Sequence, residues 1–173
     1  MRPQVSVYIA VSIDGFIARP DGGLDWLERV QQPGEDYGYA AFMATVDALL
    51  VGRETYDTVL GFGAWPWEGK RVGVFTHRPL SPRFGEEALS GALGPVLDRL
   101  GEQGLRRIYL DGGQIVRQGL REGVVDDLAL SVVPVLLGRG RPLFGEEVPE
   151  RGWRLLGARS FDSGLVQLRY GRA

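Results

Sequence analysis

Three short segments, far apart in the chain, have the residue types of anion-receiving turns: Ser12-Ile13-Asp14-Gly15, Gly52-Arg53-Glu54-Thr55-Tyr56 and Asp111-Gly112-Gly113-Gln114. Each follows a short apolar run of strand character. A strand that ends in a glycine-bearing turn and opens a helix offers unpaired backbone N–H groups and the positive end of the helix dipole. The second and third segments have this shape, and Arg53 adds a rigid guanidinium fork to the second. At Gly112 and Gly113 the absence of a Cβ leaves room for a phosphate to reach the backbone. Each segment also has a bland reading: a turn-forming Asp14 before glycine, a surface Arg53 with Thr55 near a helix cap, and a tight strand-to-helix turn at Gly112 and Gly113.

Composition narrows the classes. With 173 residues, 44% of them hydrophobic, the chain is sized for one domain spanning 1–173. A formal net charge of −2, with acidic residues interspersed among the arginines, argues against nucleic acid as a partner. The absence of cysteine excludes disulfides, thiolate nucleophiles and cysteine-held zinc, and a lone histidine, His77, makes neither a metal centre nor a Ser-His-Asp set. No metal is therefore expected. The apolar run Val5 to Val11 is too short for a signal peptide or a membrane span, so a cytoplasmic protein with no membrane contact is expected.

Periodicity supplies the scaffold. Short β-branched or apolar runs predict strands at Val5–Val11, Ala48–Val51, Arg71–Thr76, Ile108–Leu110 and Leu128–Val133. Helical spacing predicts helices over Asp36–Val46, Thr55–Leu60, Pro95–Leu100 and Gln114–Leu120, and Pro134 to Phe144 reads as a Gly- and Arg-rich loop. Two amphipathic strands, Trp153–Phe161 and Leu165–Tyr170, flank the hairpin signal Asp162-Ser163-Gly164. The alternation predicts an α/β fold: a mostly parallel central sheet flanked by helices, with a C-terminal antiparallel hairpin. In such sheets ligands lie beyond the carboxyl ends of the strands, where all three turns belong.

The motifs, taken in order, resemble the dihydrofolate reductase-like superfamily. Within it they are similar to the C-terminal reductase domain of the bifunctional riboflavin-biosynthesis deaminase-reductase and its stand-alone relatives. Ile9 to Ala18 resembles the first strand and its Ser-x-Asp-Gly turn, and Gly52-Arg53-x-Thr55-Tyr56 matches the Gly-Arg-x-Thr-aromatic signature. Phe75-Thr76-His77-Arg78-Pro79 sits where those enzymes hold adenosine, and Leu110 to Ile115 is similar to their Gly-Gly turn. The stretch Pro134 to Phe144, with Gly138, Gly140 and Pro142, is closer to the riboflavin group than to folate reductases.

The resemblance implies an NADPH-dependent reductase acting on a small carbonyl, imine, pyrimidine or pterin. The specific model is the reduction of a phosphoribosylamino-pyrimidine. Dihydrofolate reduction and non-catalytic nucleotide binding are the alternatives. Implied cofactor contacts are Ile9, Ala10, Ile17 and Ala18 at the nicotinamide, Gly52, Arg53, Thr55, Thr76, His77 and Arg78 at the adenosine end, and Gly112, Gly113 and Gln114 at the pyrophosphate. Glu54 departs from the pattern, because an inward acid would repel a 2′-phosphate. Asp111 brings a carboxylate near the phosphate position, turned away or bound to a ribose hydroxyl. For the catalytic carboxylate two positions compete, Asp36 at the first long helix and Asp14 in the first turn; the former also reads as an N-cap, the latter as a turn former. Trp26 is expected to stack on the substrate, Arg139 and Arg141 to meet a substrate phosphate, and the chain to form a homodimer through its C-terminal strands. The deaminase partner of the bifunctional enzyme needs zinc-binding cysteines, which this sequence lacks.

Overall fold

The computed structural model describes residues Met1 to Ala173. Its strands are β1 (Gln4–Ser12), β2 (Phe16–Ala18), β3 (Ala48–Gly52), β4 (Arg71–Phe75), β5 (Glu87–Leu89), β6 (Arg107–Asp111), β7 (Asp127–Val133), β8 (Arg141–Pro142), β9 (Trp153–Ser160) and β10 (Val166–Arg172). Its α-helices are α1 (Tyr39–Ala44), α2 (Arg53–Leu60), α3 (Leu93–Glu102) and α4 (Gly113–Arg121), and a 3-10 helix covers Asp25–Val30.

Eight strands form one sheet in the order β5-β4-β3-β6-β1-β7-β10-β9. The first six run parallel, and β10 adds antiparallel to β7 and to β9. Side chains on a strand alternate between faces, which divides the apolar residues between two cores. Val5, Val7, Leu50, Ile108 and Leu110 pack with α3 and α4 residues such as Leu97 and Val116. Leu49, Val51 and Tyr109 turn the other way, toward Tyr56 and Val59 of α2 and Phe42 of α1. A third, smaller cluster joins Trp26 and Val30 of the 3-10 helix to Val133 and Leu165. No helix is long and apolar enough to cross a membrane.

Two elements differ from expectation for local reasons. The helix predicted over Asp36–Val46 is confined to Tyr39–Ala44, because Tyr37 (φ 57°) and Gly38 (φ 84°) are left-handed and break the backbone path before it. The predicted loop from Pro134 to Phe144 contains β8, which pairs with β2 to form a small flap separate from the main sheet. The flap is tied down by Leu143 N–H to Gly15 O at 2.9 Å and Ile13 N–H to Val135 O at 2.9 Å.

Candidate functional site

Strand order creates the site. β3 and β6 are parallel neighbours, so α2 and α4, which start directly after them, present their N-termini side by side. The contact is close: a Cβ on Gly112 would press into Thr55 Oγ1 and lie 3.2 Å from Thr55 Cβ and 3.8 Å from Gly52 N. Gly112 also has a φ of 104°, a conformation that side-chain-bearing residues rarely adopt. A Cβ on Gly113 would meet Ile17 of the flap and come within 3.0 Å of Arg117 Nη1. Two glycines thus keep a narrow passage open between the helix starts and the flap.

That passage opens into a cleft of about 550 Å³. Its apolar lining includes Ile9, Ala10, Ile17, Ala18, Leu24, Leu27, Val59 and Phe62; its turn residues are Thr55, Gly112, Gly113 and Gln114. Glu54, Asp111, Arg117 and Arg141 supply its charge. Beside it, sharing Gln114, lies a hollow of about 130 Å³ lined by Gly52, Phe75, Thr76 and His77 among others. At that end Arg53 reaches Thr76 Oγ1 at 3.5 Å and the Pro79 carbonyl at 3.0 Å. Asp57 holds both Arg53 (2.9 Å) and Arg78 (3.4 Å), so two guanidinium groups share one carboxylate. On the other side a chamber of about 670 Å³ adjoins the cleft through Ala10 and Leu27, which line both.

The carboxylates separate by environment. Asp111 closes β6 at the cleft wall. Burial pushes its carboxyl up from 3.8 to about 6, against the opposing pull of the Tyr109 hydroxyl and the Gly112 N–H. Neighbouring Tyr109 is fully enclosed, and burial, with Asp111 beside it, drives its phenol well above the ordinary value. Asp14 is exposed and committed elsewhere. It accepts from the Ser12 hydroxyl at 2.6 Å, Leu137 N–H at 3.1 Å and Gly138 N–H at 2.7 Å, and the Ser12 bond leads the causes that lower its pKa. Asp36 accepts from Ala40 N–H and Gly38 N–H, both at 2.9 Å, which hold its carboxyl below the usual range.

Several expectations are corrected by this placement. Asp14 ties the first turn to the loop before the flap and does not line the cleft. Asp36 anchors the approach to α1 and borders the adjoining chamber, not the cleft. Trp26 is 2% exposed, packs in the third core cluster and lines none of the three spaces. Arg139 is exposed and lines none of the three spaces. Arg141 does line the cleft, but its Nη1 is paired with Glu54 at 2.6 Å, which leaves that acid neutralised rather than repelling an anion. The remaining predicted residues are brought together: Ile9, Ala10, Ile17, Ala18, Thr55, Gly112, Gly113 and Gln114 in the cleft, and Gly52, Thr76 and His77 in the hollow, with Arg53 and Arg78 beside it. Leu24, Leu27, Val59, Phe62 and Arg117 join them without a signal in the sequence; they come from helix faces and a loop whose apolar spacing reads as core.

Comparison with known proteins agrees with this architecture. The family model described as the RibD C-terminal domain matches residues 89–167. An uncharacterized protein, YwjB of Bacillus subtilis (strain 168), is 37% identical over 100% of both chains. The crystal structure of a "Putative riboflavin biosynthesis protein" from Shewanella sp. PV-4 superposes with a TM-score of 0.91 at 34% identity, covering 100% of this chain and 99% of that one. A diaminohydroxyphosphoribosylaminopyrimidine deaminase/5-amino-6-(5-phosphoribosylamino)uracil reductase from Thermotoga maritima shares the fold alone: TM-score 0.73, 18% identity, 99% of this chain and 57% of that one. Motif order, the glycine passage and full-length identity to its relatives place this chain in the RibD C-terminal domain family.

Proposed function

We propose that this chain is an NADPH-dependent reductase that delivers hydride to a carbon bearing oxygen or nitrogen in a small heterocyclic substrate. The observation that supports the reading is continuity: a hollow with a basic rim, a glycine-walled cleft and a second chamber share residues in series, Gln114 at one junction and Ala10 with Leu27 at the other.

The residues present fit the cofactor. Gly112 and Gly113 leave the close backbone approach that a pyrophosphate needs, and the first-turn N–H groups of α2 and α4 point at the same place. Arg53 and Arg78 carry more positive charge than Asp57 cancels, which favours a 2′-phosphate over a hydroxyl at that end. Ile9, Ala10, Ile17 and Ala18 offer an apolar wall to a flat ring and exclude water from it. When bound, NADPH supplies the hydride. Asp111, with a carboxyl raised to about 6, holds a proton under mildly acidic conditions and offers it at the cleft wall where charge develops on the acceptor. The Thermotoga relative's name describes a reduction of this type.

Calorimetric titration tests the reading. NADPH binds the purified chain, and binds at least about ten-fold more tightly than NADH, the effect of roughly 1.4 kcal/mol from one charge-assisted phosphate contact. Failure of both dinucleotides to bind overturns it.

A further inference from the structure

Resting on the reductase reading, we propose that the chamber beside the cleft admits an unphosphorylated nitrogen heterocycle, neutral or cationic, and rejects a phosphate ester. The chamber is large enough for a ring with a small substituent, about 670 Å³, and meets the cleft at Ala10 and Leu27, so its occupant lies next to whatever the cleft holds. Its apolar lining is Val30, Val133 and Leu165 in addition to those two. No lysine or arginine lines it, whereas Glu35 and Asp36 both do.

Backbone donors hold both acids in place. Glu35 Oε1 accepts from Tyr37 N–H at 2.7 Å, and both Asp36 oxygens are held by backbone N–H groups. Their field reaches the chamber wall, since both carboxylates, after burial, contribute to raising the phenol of Tyr8. The arginines of the cleft give no relief: Arg141 is paired with Glu54, Arg117 donates to the Pro142 carbonyl, and neither lines the chamber. The polar wall, in contrast, suits hydrogen bonding to a ring. Tyr8 and Ser131 are joined through Gln167, at 3.1 Å to each, and Gln31 and Gln32 stand at the exposed side. A dianion placed among fixed carboxylates, with no compensating cation, loses affinity by roughly ten-fold or more against its dephosphorylated counterpart at low salt.

The test uses the full chain, first titrated with NADPH so that the reductase reading is judged separately. Uridine, uridine 5′-phosphate and 2,4-diaminopyrimidine are then titrated calorimetrically into the NADPH-saturated and the free protein. The expected result is binding of uridine or 2,4-diaminopyrimidine at least about ten-fold tighter than of uridine 5′-phosphate. Equal or tighter binding of the phosphate, or no binding of any of the three, overturns the proposal even where NADPH binds. Gln31→Arg places a guanidinium at the exposed side without touching the core. It is expected to raise affinity for uridine 5′-phosphate about five-fold relative to uridine. An unchanged phosphate affinity in that variant also counts against the proposal.

Discussion

Replacing Asp111 by asparagine removes one proton-binding group and keeps the shape, so its consequences for stability and activity separate cleanly. The folded chain holds the Asp111 proton more tightly than the unfolded chain does, about 6 against an ordinary 3.8. The stability this provides is complete below 3.8 and is lost as pH rises through about 6. At about 1.4 kcal/mol for each pH unit of displacement, and with the carboxyl only half-buried, the ionised form costs the fold on the order of 1–3 kcal/mol above pH 7. The amide of the substituted side chain would carry no charge to desolvate, while the Tyr109 hydroxyl keeps its bond to the Tyr8 carbonyl. Asp111→Asn is therefore expected to stabilise the apoprotein by about 1–3 kcal/mol at pH 7.5 and by almost nothing at pH 4. For a chain of this length that is a rise in Tm of roughly 2–10 °C at the higher pH. The assay is urea unfolding at pH 4, 5, 6 and 7.5 on both proteins. Turnover moves the opposite way, falling by about 10²–10⁴-fold with loss of the pH-rate limb near 6, as removal of a general acid requires. A variant less stable than the parent at pH 7.5, or a difference that does not vary with pH, refutes the assignment of a desolvated carboxyl at the cleft wall.

The other predictions concern the passage, the basic end and the sheet edge. Gly112→Ala combines an unfavourable φ with compression against Thr55, so thermal unfolding is expected to show a loss of about 2–5 kcal/mol. Adding Thr55→Ala removes the Oγ1 clash and should restore about 1–2 kcal/mol of that loss, coupling that a non-contacting pair would lack. Arg53→Ala should reduce NADPH affinity about 10- to 100-fold and leave NADH affinity nearly unchanged, read by calorimetry at low and high salt. The outer strand β9 has an unpaired edge, with Leu155 and Leu156 more than half exposed, and we propose that it pairs with a second copy. Light scattering should then give twice the monomer mass, and Leu155→Glu with Leu156→Glu should give the monomer.

The alternation of strand and helix is legible in the sequence because each apolar run is short and is bounded by glycine, proline or a polar turn. The hairpin is legible from Asp162-Ser163-Gly164, and the sheet carries it at the expected end. The order of the strands is not legible. Nothing in the residues of β3 and β6 states that they become neighbours although all of residues 53–106 lie between them. That adjacency brings Thr55 against Gly112 and makes two ordinary turns into one passage. The flap escapes a reading of the sequence because β8 is two residues long and pairs with a three-residue strand, too short for any periodicity to register. Trp26 is misplaced by such a reading because an aromatic in a loop fits equally well as a stacking surface or as core, and only packing against Val133 and Leu165 decides between them.

The choice among carboxylates has the same character, and it explains why the sequence points to Asp14 and Asp36 while the cleft is lined by another. Asp14 and Asp111 both precede a glycine at the end of a strand, so composition and spacing treat them alike. What separates them is the count of donors against the loss of water. Asp14 stays in solvent and receives one hydroxyl and two backbone N–H groups; Asp36 stays in solvent and receives two N–H groups. Donors stabilise the ionised form, so both remain charged and serve as anchors. Asp111 is half-buried beside Tyr109 at the end of β6, where part of its water shell is lost and few donors replace it. A carboxyl in that balance can exchange a proton near neutral pH, and of the three it is the one that the fold has set on the wall of the cleft.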